Sequence, residues 1–174
     1  MKSFTTPEYS GVWFTYFGER LALREQIQNY LKETLNDSDG RIDHRDDGPH
    51  WISSILNDAV ELSYAHTEGV AILVYSKTHR LGVDVEAASR MIPNAISLAE
   101  RFFHQDEIAK LKRFAISDQN IEFLKIWTQI EAIAKLTRLG LGKTIRLKPL
   151  SASLATPRVL PLVPIGFIAS IAIA

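Results

Sequence analysis

The sequence predicts an α+β fold in which small antiparallel sheets pack on helices. Three short apolar segments are separated by tight polar turns, which is typical of neighbouring antiparallel strands; they are residues 59–65, 69–76 and 80–87. Longer segments, 19–35 and 93–139, carry apolar residues at helical spacing. The second of these is expected to break near His104 and Ser117, where the helical pattern is interrupted.

Strands are also predicted near both ends of the chain. The aromatic segment 10–17 is β-prone, and the segments 143–150 and 166–174 are expected to be closing strands. Between the first strand pattern and the hairpins lies the polar segment RIDHRDDGPHW, residues 41–51. We predict that this segment is a loop, and it is the best candidate for a segment that faces a ligand.

The composition excludes several classes of function. The 174 residues suffice for one domain or for two small halves that share a core. Twenty basic residues balance twenty acidic ones, so no global field favours nucleic acid or an anionic membrane, and a charged partner must be recognised by a local patch. The absence of cysteine excludes disulfides, thiolate metal sites and cysteine nucleophiles.

Neither end of the sequence predicts a membrane segment. The N-terminal residues contain no apolar run of the kind found in signal peptides. The apolar C-terminal stretch LVPIGFIASIAIA has 13 residues, fewer than the roughly 20 that a spanning helix needs. We therefore expect a buried terminal strand, and a soluble cytoplasmic protein with no membrane partner and no nucleic-acid partner.

Two carboxylates stand in the apolar segment LGVDVE, residues 81–86. In a strand, residues two apart point to the same face, so Asp84 and Glu86 share one side while Val83 and Val85 face the other. Two carboxylates this close repel each other unless a cation or hydrogen-bond donors satisfy them. The segment is either a polar strand face paired with Arg or Lys, or part of a cation site.

A third carboxylate follows in WTQIEAIAK, residues 127–135, where Trp127, Glu131 and Lys135 are four residues apart and share one helical stripe. The pattern fits a solvated Glu–Lys pair beside a core tryptophan. It also fits a site in which Glu131 joins the strand carboxylates in an oxygen set suited to Mg²⁺, with the lysine near a phosphate.

Four segments in this order resemble the 4′-phosphopantetheinyl transferase superfamily: LSYAHTEG (62–69), LGVDVE, RFFHQDEIAKL (101–111) and WTQIEAIAKLTRLGLG (127–142). The sequence upstream of the carboxylates is similar to the larger, surfactin-synthetase-type branch. That resemblance implies two pseudo-symmetric halves in a single monomeric chain, residues 1–80 and 81–174, each a small sheet packed on helices. The active cleft would lie between the halves.

The resemblance also implies a reaction and its residues. Asp84, Glu86 and Glu131 would hold Mg²⁺ against the pyrophosphate of coenzyme A. A serine hydroxyl of an apo acyl or peptidyl carrier protein would attack the β-phosphorus, which gives the modified carrier and 3′,5′-ADP. Glu131 would accept the serine proton, Lys135 would stabilise the pyrophosphate, and His66 would bind a phosphate oxygen.

The sequence departs from the family pattern at its cationic positions. Ile130 stands where the family has a lysine before the motif glutamate, so Ile130→Lys is expected to raise activity. The family's lysine-containing loop appears here as DDGPH, for which Arg45 or His50 would substitute. Arg20 and Arg24 are weak candidates for the cluster that binds the 3′-phosphate.

Two alternative functions remain open on the sequence. The chain could be a non-catalytic homologue that binds coenzyme A or a carrier protein without turnover. It could also be a metal-dependent phosphohydrolase that uses the same three carboxylates and releases free phosphopantetheine.

Overall fold

The computed structural model describes most of the chain. The described ranges are residues 1–16, 20–45, 48–53, 55, 60–141, 157–160 and 163–174. Within them, the side chains of Arg20, Arg45 and Val159 are outside the description.

Nine strands and four helices form in these ranges. The strands are β1 (Lys2–Thr5), β2 (Ser10–Thr15), β3 (Arg41–Arg45), β4 (Gly48–Ile52), β5 (Val60–Thr67), β6 (Val70–Ser76), β7 (Leu81–Ala87), β8 (Arg158–Val159) and β9 (Phe167–Ile173). The helices are α1 (Arg20–Leu35), α2 (Ala95–Phe102), α3 (Gln105–Leu111) and α4 (Ile116–Thr137).

The strands form two antiparallel sheets. The larger has the order β1-β2-β6-β5-β4-β3, and the smaller has the order β7-β9-β8. Helices therefore pack on antiparallel sheets rather than alternating with parallel strands, which confirms the predicted α+β class.

The two sheets pack face to face, and helices cover their outer faces. In β2, Val12 and Phe14 pack on one side with Leu23 and Ile27 of α1, while Trp13 faces the opposite way. The cluster around Trp13 joins both sheets and includes, among others, Ile72, Val74, Val83, Val85 and Ile171. Because successive side chains of a strand point to opposite faces, β2 contributes residues to two different hydrophobic cores.

Helix α4 lies against the outer face of the smaller sheet. Ala132 and Leu136 pack on Ala172 of β9, and the hydroxyls of Thr128 and Ser170 form a buried hydrogen bond of 2.9 Å. The hydrogen bond satisfies two polar groups that are fully buried, and so it helps to fix the helix on the sheet.

Gly82 allows α4 to approach β7 very closely. A Cβ added at Gly82 would lie 1.9 Å from the carbonyl oxygen of Ala132 and 2.5 Å from the backbone nitrogen of Leu136. Strand β7 is buried along its whole length. Because Leu81, Val83 and Val85 belong to the inter-sheet core, the alternating residues of β7 face the helix.

A side-chain hydrogen bond links the two sheets beside this contact. The backbone nitrogen of Val83 donates to Ser63 Oγ of β5 over 3.1 Å, and both groups are buried. It places the middle of β5, in the larger sheet, next to β7 in the smaller one.

Most predicted elements are confirmed, but the loop predicted at 41–51 is wrong. Strands β3 and β4 form a hairpin there, because Ile42 and Trp51 pair across it and pack in the core under α1. Strand β1 was not predicted, and the second helix break falls at 112–115 rather than at Ser117. The predicted strand at 143–150 lies outside the described residues.

None of the helices in the described ranges combines the length and the apolar character that crossing a membrane requires.

We expect Gly82→Ala to lower the free energy of unfolding by about 3 kcal/mol, because the new methyl group meets backbone atoms that cannot rotate away. Denaturant unfolding measures this loss. Gly11→Ala is the matched control, since its methyl group would meet the ring of Phe4, a side chain that can move. Equal losses in the two variants would contradict the close packing of α4 on β7.

Candidate active site

A cavity of about 720 Å³ is lined by residues of both sheets and of α4. Its walls include Ser63 to Thr67 of β5, Asp84 to Glu86 of β7 and part of the last third of α4. The ionisable residues among its lining are Arg24, Tyr64, His66, Asp84, Glu86, Arg90, Glu131, Lys135 and Arg138. The structure therefore brings together His66, Lys135 and the three carboxylates that the sequence analysis singled out.

Asp84 is paired with Lys135 but remains incompletely satisfied. Lys135 Nζ donates to Asp84 Oδ1 over 2.8 Å and to the carbonyl oxygen of Val83 over 2.9 Å. Asp84 Oδ2 is buried and has no hydrogen-bond partner in the described part of the chain. Burial raises the pKa of Asp84 to about 6, against the opposing effect of Lys135. A buried oxygen of this kind is costly unless a donor or a cation satisfies it.

Glu86 forms an ion pair with Arg90, four residues further along the chain. The backbone around Arg90 is held by Asn120 of α4, whose side chain donates to the carbonyl oxygen of Arg90 over 2.9 Å and accepts from the nitrogen of Ile92 over 2.7 Å. The first turns of α4 therefore fix the position from which Arg90 reaches Glu86.

Glu131 lies on α4, one turn before Lys135 and one turn after Trp127. Burial raises the pKa of Glu131, Lys135 opposes the shift, Glu86 adds to it, and Arg90 and a hydrogen bond from Trp127 lower it. Trp127 also packs against Phe103 and Phe123. The tryptophan is thus partly buried against an apolar cluster and is at the same time a partner of the carboxylate.

The three carboxylates form an oxygen set that suits a hard cation such as Mg²⁺. In the conformation described, Asp84 and Glu86 hold Lys135 and Arg90 instead, and no three His, Asp or Glu side chains within the described ranges are arranged to hold one ion together. Asp84 Oδ2 nevertheless has the unsatisfied lone pairs that an added cation would use. The donor chemistry thus suits a hard cation, and metal binding stays a prediction.

His66, on β5, contacts Tyr16, which directly follows β2. The Tyr16 hydroxyl and His66 Nδ1 are 2.9 Å apart, and the two rings meet edge to face with centroids 5.7 Å apart. A hydrogen bond at one imidazole nitrogen helps to fix the orientation of the ring.

Arg138 ends α4 and ties it to β5. Its backbone is left-handed, with φ of 58°, and its guanidinium forms an ion pair with Glu61. Both side chains are less than a quarter exposed. This pair connects the helix that carries Glu131 and Lys135 with the strand that carries His66.

Two of the residues singled out in the sequence, His50 and Ile130, do not join this group in the structure. His50 is buried, and it is not among the residues that line the cavity, although its neighbours Gly48 and Pro49 are. Arg45 lies in β3, but its side chain is outside the described residues. Ile130 is 6% exposed and packs in an apolar cluster that includes Phe103.

The expected gain from Ile130→Lys is therefore not supported by the structure. A lysine at this position would place its ammonium group in the apolar cluster rather than beside the cavity.

Tyr16, Arg90 and Arg138 belong to the site but are not marked by any pattern in the sequence. Tyr16 and Arg138 meet partners 50 and 77 residues away, so no local pattern could reveal them. Arg90 stands four residues after Glu86, but this spacing is informative on a helix and residues 86–90 leave a strand. Arg90 could have been found only by considering every cation near the motif.

We expect the metal-free protein to become less stable as pH rises from about 4 to about 6. The pKa of Asp84 rises from 3.8, its ordinary value, to about 6 on folding. Between these values Asp84 binds more protons in the folded protein than in the unfolded chain, so its contribution to the free energy of unfolding falls with increasing pH, by up to about 3 kcal/mol. Denaturant unfolding over this range should show a flatter profile for Asp84→Asn and an unchanged slope for the exposed-site control Asp118→Asn.

We expect the Tyr16 hydroxyl to favour one tautomer of His66, and Tyr16→Phe to remove this preference. The substitution keeps the ring contact and removes the hydroxyl that hydrogen bonds to Nδ1. Long-range ¹H–¹⁵N NMR on histidine-labelled protein should report one dominant tautomer in the unsubstituted protein and an average of two in Tyr16→Phe. Tyr64→Phe, on the same strand as His66 and against His44, should leave the His66 signals unchanged. Averaged tautomers already present in the unsubstituted protein would refute the role of Tyr16.

Two comparisons with known proteins place this geometry in context. A family model described as the 4′-phosphopantetheinyl transferase superfamily matches residues 80–160, the part of the chain that carries Asp84, Glu86, Glu131 and Lys135. The chain is also 26% identical over 115 residues to the 4′-phosphopantetheinyl transferase gsp of Aneurinibacillus migulanus. This match covers 66% of the chain and 46% of that protein, so the chain spans about half the length of this relative. Both matches show that the chain, over residues 80–160 in particular, is similar to the 4′-phosphopantetheinyl transferase superfamily.

Proposed function

We propose that the protein is a phosphopantetheinyl transferase of the holo-[acyl-carrier-protein] synthase type. It transfers 4′-phosphopantetheine from coenzyme A to a serine of an apo acyl or peptidyl carrier protein and releases 3′,5′-ADP. One observation carries the proposal: three carboxylates, Lys135 and His66 line a single cavity, and all but His66 lie in the segment that matches the superfamily.

In this proposal Asp84, Glu86 and Glu131 hold Mg²⁺, which would neutralise charge on the pyrophosphate oxygens. The unsatisfied Asp84 Oδ2 supports this assignment. The all-oxygen character of the three side chains supports magnesium over a metal that prefers nitrogen or sulfur ligands.

Lys135 and His66 bind phosphate oxygens from two sides of the cavity. Lys135 is a compact charge suited to phosphate, and it is already held at the cavity by the carbonyl oxygen of Val83. His66, oriented by Tyr16, would offer a ring nitrogen to a second oxygen. Arg24 and Arg138 also line the cavity, and Arg45 remains a candidate for the coenzyme contact that the sequence analysis assigned to it.

Glu131 accepts the proton from the carrier serine. The serine oxygen forms a bond to the β-phosphorus while the bond from that phosphorus to the bridging oxygen breaks. The electron pair leaves on 3′,5′-ADP, and the proton stays on Glu131. Glu131 lines the cavity, and a carboxylate in that position can serve as a general base.

We further propose that residues 1–80 and 81–174 are pseudo-symmetric halves of a monomeric chain that works in the cytoplasm. The arrangement in layers supports the two halves, because each sheet has a long helix on its outer face, α1 on one and α4 on the other. The cavity between the sheets would then be the cleft between the halves.

A second candidate is a homologue that binds coenzyme A or a carrier protein without turnover. It is favoured by the ion pairs of Asp84 and Glu86, which occupy two proposed metal ligands with cations of the chain itself.

We expect Glu131→Gln to slow carrier modification by about 10²- to 10⁴-fold, because the variant keeps the shape of the side chain and loses the base. The measurement is the mass gain of apo-carrier proteins incubated with coenzyme A and Mg²⁺. Glu122→Gln is the matched control on the same helix, since Glu122 pairs with Lys125 and does not line the cavity. Its rate should equal that of the unsubstituted protein.

The outcomes separate the candidates. If no carrier gains mass while coenzyme A still binds, the non-catalytic homologue is the better description. If free phosphopantetheine appears without a carrier, the protein is a phosphohydrolase.

A further inference from the structure

We infer that Arg90 is an exchanging cation of the site: it neutralises Glu86 when the metal is absent and transfers to a phosphate group of the anionic ligand when the metal binds. This inference rests on the proposed function, because it takes Glu86 as a metal ligand and a diphosphate as the ligand. It assigns Arg90 a role in coupling the two binding events.

Arg90 lines the same cavity as the three carboxylates. Its guanidinium forms an ion pair with Glu86. Its charge also acts on Glu131, since it lowers the pKa of that carboxylate. Arg90 therefore stands close to two of the three proposed metal ligands and competes with a metal for one of them.

The backbone of Arg90 is fixed while its side chain has room to move. Both hydrogen bonds of Asn120 hold the chain at residues 90 and 92. The Arg90 side chain is 49% exposed, so it can rotate without disturbing the core. An arginine placed in this way is a poor structural clamp, because a half-exposed ion pair contributes little to stability.

Lys135 differs from Arg90 in both respects. Its side chain is 33% exposed, and it is anchored by the carbonyl oxygen of Val83 as well as by Asp84. Lys135 can thus lose its contact with Asp84 and remain at the cavity. Arg90 has Glu86 as its described anionic partner, so a metal on Glu86 leaves the guanidinium beside a dication.

Charge then directs the guanidinium to a phosphate. Three carboxylates and two cations leave one net negative charge in this part of the cavity, and a divalent ion makes it positive. The guanidinium is repelled by the ion and attracted by the oxygens of a diphosphate, to which its planar fork can donate two parallel hydrogen bonds. Without the metal, Arg90 occupies Glu86 and so competes with metal binding; once the metal is bound, Arg90 becomes part of the site that binds the diphosphate.

The test uses one substitution with two opposite effects. Arg90→Gln should tighten the binding of Mn²⁺ alone, followed by the EPR signal of the free ion, by about 2- to 5-fold, because the competitor for Glu86 is gone. It should weaken coenzyme A binding at saturating Mg²⁺, measured by calorimetry, by about 5- to 20-fold, because a charge-assisted hydrogen bond is lost. For Arg90→Lys, the affinities for Mn²⁺ and for coenzyme A should each lie between those of the unsubstituted protein and those of Arg90→Gln.

Arg41→Gln is the control for the lost charge, since Arg41 is exposed and does not line the cavity; neither affinity should change. Weaker binding of both ligands to Arg90→Gln would mean that Arg90 only positions Glu86, and unchanged affinities would mean that it is a spectator. Either result overturns the inference while leaving the proposed function intact. An unsubstituted protein that binds neither Mn²⁺ nor coenzyme A overturns both.

Discussion

The contact between β7 and α4 is the constraint on which the candidate site depends. Gly82 has no side chain, and the helix backbone therefore lies directly against the strand. At this short distance Lys135 reaches both the carbonyl oxygen of Val83 and the carboxylate of Asp84. A helix held further out by a larger residue would carry Glu131 and Lys135 away from the carboxylates of β7.

The same contact explains why acidic residues are tolerated in a completely buried strand. The face of β7 that carries Val83 and Val85 supplies the inter-sheet core, and the other face meets a helix that brings a cation with it. Lys135 offsets part of the burial of Asp84, and Arg90 pairs with Glu86. One carboxylate oxygen is still unsatisfied, so this part of the fold retains polar groups that hydrophobic residues would replace if stability alone mattered.

The sequence predicts the elements of the site well and their partners poorly. The alternation in LGVDVE and the four-residue spacing of Trp127, Glu131 and Lys135 are local patterns, and the structure has a strand and a helix there. The burial of Ile130 could not be foreseen, because the side of α4 that faces the α2–α3 layer is decided by tertiary packing. The hairpin at 41–52 was mistaken for a loop, since its apolar residues are few and its charged ones many.

The left-handed backbone at Arg138 limits which residues can stand where the end of α4 meets β5 in the cavity wall. A residue with a side chain at φ of 58° costs about 1 kcal/mol that glycine would avoid. The arginine is retained in a strained position from which it bridges to Glu61 of the other sheet. At position 138, the residue that would best stabilise the end of the helix is therefore not the residue that closes the cavity wall. A glycine there would relax the end of α4 and at the same time unfasten the helix from β5, so a change selected for thermal stability would leave the cavity more open.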